Sequence, residues 1–279
     1  MITLDQILAA TRERVIRAKE KAQPRSLEKL AAAHTPRGFR KRLAAMSQLG
    51  PAVIGELKKA SPSKGVIRGT FPVAVLANQL ARAGASALSI LTDEQFFQGS
   101  LGNLLEASAA AELPCLRKDF IIDEFQITEA RASHADAILL ILAALDDATF
   151  RHLLDYARAL DLDALCEVHD EDELKRALDG GADIIGVNSR DLRTFQVSLD
   201  TVVELGSSIP NHILRVAESG IDSGAEIREL HGAGYQAFLI GEALMRAEDP
   251  GVRLQQLLQE AGWYSPSITA SPNWRGTVQ

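Results

Sequence analysis

The apolar positions of the chain change period near residue 50. Before that point they recur at helical spacing. Leu4, Ile7, Leu8, Val15 and Ile16, with charges between them, predict an amphipathic surface helix over Thr3–Lys21. Two further helical patches lie around Ser26–Ala33 and Phe39–Leu49, with Pro36, Arg37 and Gly38 as punctuation. All three precede the first strand and are expected to cap one end of the main fold.

From Ala52 short apolar runs alternate with amphipathic ones. The runs expected as buried strands are Ala52–Leu57, Ala87–Leu91, Pro114–Lys118, Ala137–Leu142, Ala164–Val168, Ile184–Asn188, Leu214–Glu218 and Ala237–Ile240. Helical patterns follow them at Pro72–Ala83, Leu101–Ala111, Asp123–Ser133, Asp147–Leu160, Glu171–Leu178, Leu199–Leu205, Ala225–His231 and Val252–Glu260. Several helix-to-strand turns carry glycine (AGAS, GGAD, GAGYQA), which can take the left-handed conformation that ends a helix. Eight strand–helix units in this length predict a single (β/α)8 TIM barrel rather than a doubly wound sheet. The expected division is a helical extension over 1–50, a barrel core over 51–262 and a polar, loosely ordered tail over 263–279.

Several strand runs end on or beside polar residues. Glu56 and Lys58 stand two apart at the end of the first, so strand alternation puts both on one face, before a loop of Ser61, Pro62, Ser63, Lys64 and Gly65. Lys118, Glu167, Asn188 and Glu218 close later runs in the same way. Polar groups at the C-terminal ends of several parallel strands describe one mouth of a barrel. A lysine flanked by carboxylates near an apolar wall can be held as an acid or have its pKa moved for other chemistry. Some of Glu56, Glu167 and Glu218 could equally be ion-pair partners that keep the lysines charged. Gly220 after the seventh strand and Gly241 after the eighth suit a phosphate cradle, where backbone amides approach an anion.

Composition narrows the partners. With 279 residues, a net charge of −7 and a pI near 5.5, a general affinity for nucleic acid or an anionic membrane is not expected, so an anionic ligand needs a local site. No stretch reaches the length of a membrane span, and the N-terminus lacks the apolar core of a signal peptide. Cys115 and Cys166 lie inside apolar strand runs and are not needed as staples, which fits a reducing cytoplasm. The six histidines show no metal-ligand spacing; His169, two residues past Glu167, borders the expected mouth but reads as surface or structural. Gly232-Ala-Gly234-Tyr-Gln-Ala237 matches a dinucleotide fingerprint in form, yet it precedes a strand and cannot open a helix under a pyrophosphate.

Taken together, ELKKASPSKG (Glu56–Gly65), LTDEQFFQGS (Leu91–Ser100), LRKDFIIDEFQI (Leu116–Ile127), CEVH (Cys166–His169), IIGVNSRDL (Ile184–Leu192), VAESGI (Val216–Ile221) and FLIGEALM (Phe238–Met245) resemble the motifs of the indole-3-glycerol phosphate synthase family, in the family's order. The resemblance runs from about Ile2 to Trp263. It implies ring closure of 1-(2-carboxyphenylamino)-1-deoxyribulose 5-phosphate, with decarboxylation and dehydration, in tryptophan biosynthesis, and with neither metal nor cofactor. It further implies that Lys118 is the acid at the ketone oxygen. The second acid and the base are shared among Lys58, Glu167 and Glu56. Asn188 and Glu218 hold hydroxyls, and Arg190 supports the loop of Asn188. Phe97 and Phe120 pack on the aromatic ring, with Pro62 and a strand-four leucine nearby. Some members carry a hydroxyl residue where this chain has Glu242. Its carboxylate is expected to point away from the phosphate, leaving Ser61, Ser219 and Gly220 with more of the anion site. A monomer or weak homodimer in the cytoplasm, acting on a small phosphorylated substrate, completes the expectation.

Three other readings share the barrel. A Schiff-base aldolase would use Lys58 or Lys118 as a nucleophile. A non-catalytic sugar-phosphate binder would not need paired acids and bases. A phosphoribosylanthranilate isomerase would want a cysteine–aspartate pair at strand ends, and Cys115 sits three residues short of one.

Overall fold

The computed structural model describes residues 2–189 and 199–263. Eight parallel strands form a closed barrel: β1 (Ala52–Leu57), β2 (Ala87–Leu91), β3 (Cys115–Lys118), β4 (Ala137–Ile141), β5 (Asp163–Val168), β6 (Ile184–Asn188), β7 (Leu214–Glu218) and β8 (Ala237–Ile240). Each strand pairs with its neighbours in sequence, and β8 closes on β1 through Ala52↔Ala237 to Gly55↔Ile240. All eight expected strands are present, with ends shifted by at most one residue.

The near-continuous apolar runs follow from burial on both faces, as in other parallel sheets. Alternate residues such as Ile54, Leu116, Leu139, Leu165, Ile184, Val216 and Leu239 fill the barrel. The intervening ones, among them Val53, Leu88, Ile138, Ile185 and Phe238, pack outward under the helices. Several of the helices start on side-chain caps: Asp123, Asp146, Asp170 and Ser223 accept from the amides of Phe125, Thr149, Glu173 and Glu226. Such caps are worth about 0.5–2 kcal/mol each over alanine. At the helix-to-strand turns, Gly84, Gly181 and Gly234 have φ of 98°, 81° and 93°, the left-handed conformation expected of them.

The N-terminal helices depart from the sequence expectation. They do not cap one end but reach both. The first (Leu4–Lys21) lies across the C-terminal ends of the strands, where Arg14 meets Asp119 at 2.6 Å and Lys19 meets Asp123 at 2.7 Å. The second (Pro24–Ala33) runs down the side against the helix Glu124–Ala132. The third (Phe39–Ser47) seals the opposite end with buried Phe39 and Leu43. Its entry is pinned there by Arg37, whose guanidinium donates to buried Asp136 just before β4, and by the Arg40 amide, which donates to Asp163 at the start of β5. Helical periodicity gave the lengths of these helices but carried no information on the strand ends they would meet.

Among the described residues, elements too short to show a period were not anticipated; besides the single turn Leu142–Ala144 they are an antiparallel pair, Ala60–Ser61 with Gly65–Val66, and the helices Glu94–Phe97 and Glu242–Arg246. The pair and the two short helices border the mouth. Of the expected tail over 263–279, all but Trp263 lies outside the described residues, as does Arg190. Among the described residues no helix is long and apolar enough to cross a membrane.

Candidate active site

The C-terminal ends of the strands open into a cavity of about 450 Å³. Register decides what reaches it. Asn188 stands beside Glu218, and Leu91 beside Lys118, on the last rungs of their strand pairs. Glu56, Lys58, Lys118, Glu167 and Asn188 all line the cavity. Ser61, Pro62, Phe97, Phe120, Ser219, Gly220, Gly241 and Glu242 also line it. Glu218 is the exception among the described candidates. It is buried beneath the cavity floor and touches Lys118 instead, with its Oε2 3.3 Å from Nζ.

Lys118 is the centre of the charged group. Its Nζ lies 3.2 Å from Glu167 Oε2, and the second pair at the mouth, Lys58 Nζ to Glu56 Oε1, measures 2.8 Å. Glu56, Glu167 and Glu218 are all buried. Burial opposes the charge on Lys118, but Glu167, Glu218 and Glu56 outweigh it and hold the ammonium's pKa above its ordinary value. Burial likewise opposes the charge on Glu167, and there Lys118 and His169 prevail, keeping it well below the usual carboxylate range. Glu56 is also held low, by Lys58 and Lys118 against burial. Glu218 goes the other way: burial, only partly offset by Lys118 and reinforced by Glu167, pushes it up to about 8. Three buried carboxylates therefore share two lysines, and Glu218 is the one left holding a proton near neutrality.

One wall of the cavity is apolar. Phe97 and Phe120 stand with ring centroids 6.3 Å apart and planes tilted by 41°. Leu139 and Ile141 from β4 line the cavity as well, as do Leu4 and Ile7 of the first helix. The Phe120 turn is fixed from below by Asp119. This buried carboxylate accepts from Arg14 at 2.6 Å, Thr92 at 2.8 Å, Arg117 at 3.0 Å and the Phe120 amide at 2.9 Å. One network thus sets both the aromatic wall and the helix laid across the mouth.

The opposite side is glycine and serine. After β7 the chain turns through two successive left-handed residues, Ser219 and Gly220, each at φ 67°. A serine rarely adopts that conformation, and such positions cluster at binding sites. Glu242 follows β8, and its Oε1 is 2.9 Å from Arg246 Nη2 one turn along its own helix, so its carboxylate is turned to a cation of the chain itself. Among the described residues no group of three or more His, Cys, Asp or Glu is placed to hold a metal ion. Both cysteines are buried free thiols, pushed up to about 12 by burial.

The model of the family described as "Indole-3-glycerol phosphate synthase" matches residues 4–257. A protein of that name from Koribacter versatilis is 56% identical over 256 residues, covering 92% of this chain and 98% of its own. The chain belongs to the indole-3-glycerol phosphate synthase family. Another protein of that name, from a Polaromonas species, is 49% identical over 256 residues, covering 91% of this chain and 97% of its own. Membership places the chain among carboxy-lyases. Solved structures of low identity share the barrel alone. A 3-hexulose-6-phosphate synthase from Salmonella typhimurium aligns with a TM-score of 0.59 at 13% identity, over 75% of this chain and 97% of that one. A thiamine phosphate pyrophosphorylase from Pyrococcus furiosus aligns with a TM-score of 0.57 at 17% identity, over 81% and 100%.

Two features of the site were missed from the sequence. His169 is only part-exposed, with its Nε2 buried 3.4 Å from Glu167 Oε1. Glu173, one helical turn on, holds its other ring nitrogen at 3.0 Å. The spacing of Glu167, His169 and Glu173 was visible, but strand and helix periods gave no reason to join them. Arg14 carried no local signal at all, since its partner Asp119 is 105 residues away.

Proposed function

We propose that the chain is an indole-3-glycerol phosphate synthase that closes the ring of 1-(2-carboxyphenylamino)-1-deoxyribulose 5-phosphate and releases carbon dioxide and water, a step of tryptophan biosynthesis. The observation that carries this reading is the charged Lys118 ammonium, seated by Glu167 and Glu218 where an apolar wall meets a polar floor. The ring carbon bearing the carboxylate attacks the ketone carbon, and negative charge gathers on the ketone oxygen. Lys118 donates a proton there. Its raised pKa does not prevent the transfer, because the forming alkoxide is a stronger base than an amine.

Loss of the carboxylate as carbon dioxide returns its electron pair to the ring, and aromaticity is restored without a base. The new hydroxyl then leaves as water with a proton from a second acid, while a base takes the proton from the neighbouring carbon. Lys58 and Glu56, 2.8 Å apart at the mouth, stand ready as such a pair, with Glu167 the other acceptor within the site. Asn188 holds a substrate hydroxyl. Glu218, buried under Lys118, orients the ammonium rather than the substrate. Phe97 and Phe120 clamp the aromatic ring beside Leu139 and Pro62. The phosphate lies by Ser61, Ser219, Gly220 and Gly241, where backbone amides supply donors.

The same ammonium argues against a Schiff-base aldolase, because a lysine held protonated by carboxylates is not a nucleophile. The test is incubation with the carboxyphenylamino-deoxyribulose phosphate, following indole fluorescence and released carbon dioxide together. Equimolar indole product and carbon dioxide support the reading; an adduct trapped by borohydride with no indole signal overturns it.

A further inference from the structure

Behind Glu167, on the side away from the cavity, lies a second row of charged groups. His169 does not line the cavity. Its ring Nδ1 and its backbone amide share a single acceptor, Glu173 Oε2, at 3.0 Å and 2.9 Å. Glu173 is itself fixed at the start of the helix Glu171–Asp179, where its amide donates to the cap Asp170 at 2.8 Å. The ring is therefore locked at one end. At the other, Nε2 is buried, makes no aligned hydrogen bond, and lies 3.4 Å from Glu167 Oε1. Glu167 thus has a different cation at each oxygen: Lys118 on Oε2 from the cavity side and His169 on Oε1 from behind.

We propose that His169 is a positioning residue, which braces Glu167 from behind and so fixes the carboxylate against Lys118. The proposal rests on the reading of this mouth as the ring-closing site. The groups facing the pair come from every neighbouring element: Glu173 from the helix after β5, Lys118 from β3, Glu218 from β7 and Glu56 from β1. Burial disfavours the charged imidazole, but Glu167 and Glu173 outweigh it and raise its pKa to about 10. The brace is therefore cationic throughout the neutral range. Its action is twofold. It fixes the rotamer of Glu167 through a contact that does not compete with substrate, and it keeps the carboxylate ionised beside the ammonium it seats.

Two measurements test this. In the parent protein, nitrogen NMR of the histidine rings at pH 8, with His169 assigned by its absence in His169→Gln, reads the brace without turnover. An ordinary histidine, with a pKa near 6.5, is neutral at that pH. A ring protonated on both nitrogens supports the proposal, and a neutral ring overturns it, whether or not the enzyme acts on the expected substrate. The second measurement is kinetic. His169→Ala should lower kcat about 10- to 100-fold, the range typical when the group behind a functional ligand is removed. KM should hold within about twofold, because the side chain touches no substrate. The acid limb of the kcat profile should move to higher pH, since Glu167 loses a cation that favours its ionised form. His169→Gln keeps a donor at that place and should recover much of the loss. An unchanged kcat and acid limb in His169→Ala, or a glutamine variant no better than alanine, overturns the proposal. Should His169→Ala fail to fold, the glutamine variant and the parent ring signal decide.

Discussion

Gly241 leaves the space that Glu56 occupies. A Cβ at residue 241 would fall 2.3 Å from Glu56 Oε1, the same oxygen that lies 2.8 Å from Lys58. The glycine after β8 is thus required by a carboxylate from β1 as well as by any anion at the strand ends. Gly186 on β6 does the same for Glu218, whose Oε1 a Cβ there would meet at 2.0 Å. Small residues on one strand admit the charged groups of another.

Gly241→Val is therefore expected to harm binding and chemistry together. The added side chain blocks the phosphate and displaces Glu56 from Lys58. Losing several charge-assisted hydrogen bonds, at about 1.5–3 kcal/mol each, should raise KM by two or more decades. A fall in kcat should accompany it, which a phosphate cradle alone would not produce. Steady-state kinetics of this variant check both; a parental KM would remove Gly241 from the anion site.

Glu242→Ser should leave KM unchanged or lower it. The carboxylate is engaged by Arg246, and a serine removes a negative charge from the phosphate's neighbourhood while adding a hydroxyl. Inhibition by inorganic phosphate should tighten in parallel. A rise in KM of tenfold or more would mean that Glu242 has a binding role of its own.

Two isosteric changes, Glu167→Gln and Glu218→Gln, should move stability in opposite directions. The folded pKa of Glu167 is depressed, so its charge contributes stability above the unfolded value of 4.5, and that contribution is lost as pH falls. The folded pKa of Glu218 is raised to about 8, so its ionisation counts against folding progressively as pH climbs from 4.5 to that value. At pH 8–9 Glu167→Gln should lower Tm and Glu218→Gln should raise it, by about 2–4 °C per kcal/mol in a chain of this size. The Glu218 difference should shrink towards pH 4.5, whereas the Glu167 difference should persist to that pH and shrink only below it. Thermal melts across that range decide the matter, and shifts of the same sign at pH 9 would contradict the assignment of the proton to Glu218.

The barrel was legible because its strands are buried on both faces and its helices on one, so the two periods alternate cleanly from Ala52 to Ile240. The mouth was legible for a related reason: a strand that ends in Glu56, Lys118 or Glu167 breaks an apolar run, and the break shows in one dimension. Glu218 ends such a run as well and was expected at the mouth, yet it does not line the cavity. Its burial under Lys118 depends on the space left by Gly186 on the next strand, which no run on β7 records. The placement of the first helix was hidden for a similar reason. Arg14 is one of several arginines on a charged face, and only closure of the barrel brings Asp119 and Asp93 beneath it.

The most direct test of the account is the split between binding and chemistry in Lys118→Met, which keeps the buried stem and removes the ammonium. Single-turnover mixing with the carboxyphenylamino-deoxyribulose phosphate gives the rate of ring closure, and equilibrium titration gives the affinity. The ring-closure rate is expected to fall about 10²–10⁴-fold, the usual contribution of a general acid, with Kd within a few-fold of the parent. A rate within a few-fold of the parent's, in a variant that binds normally, would contradict the central role given to Lys118.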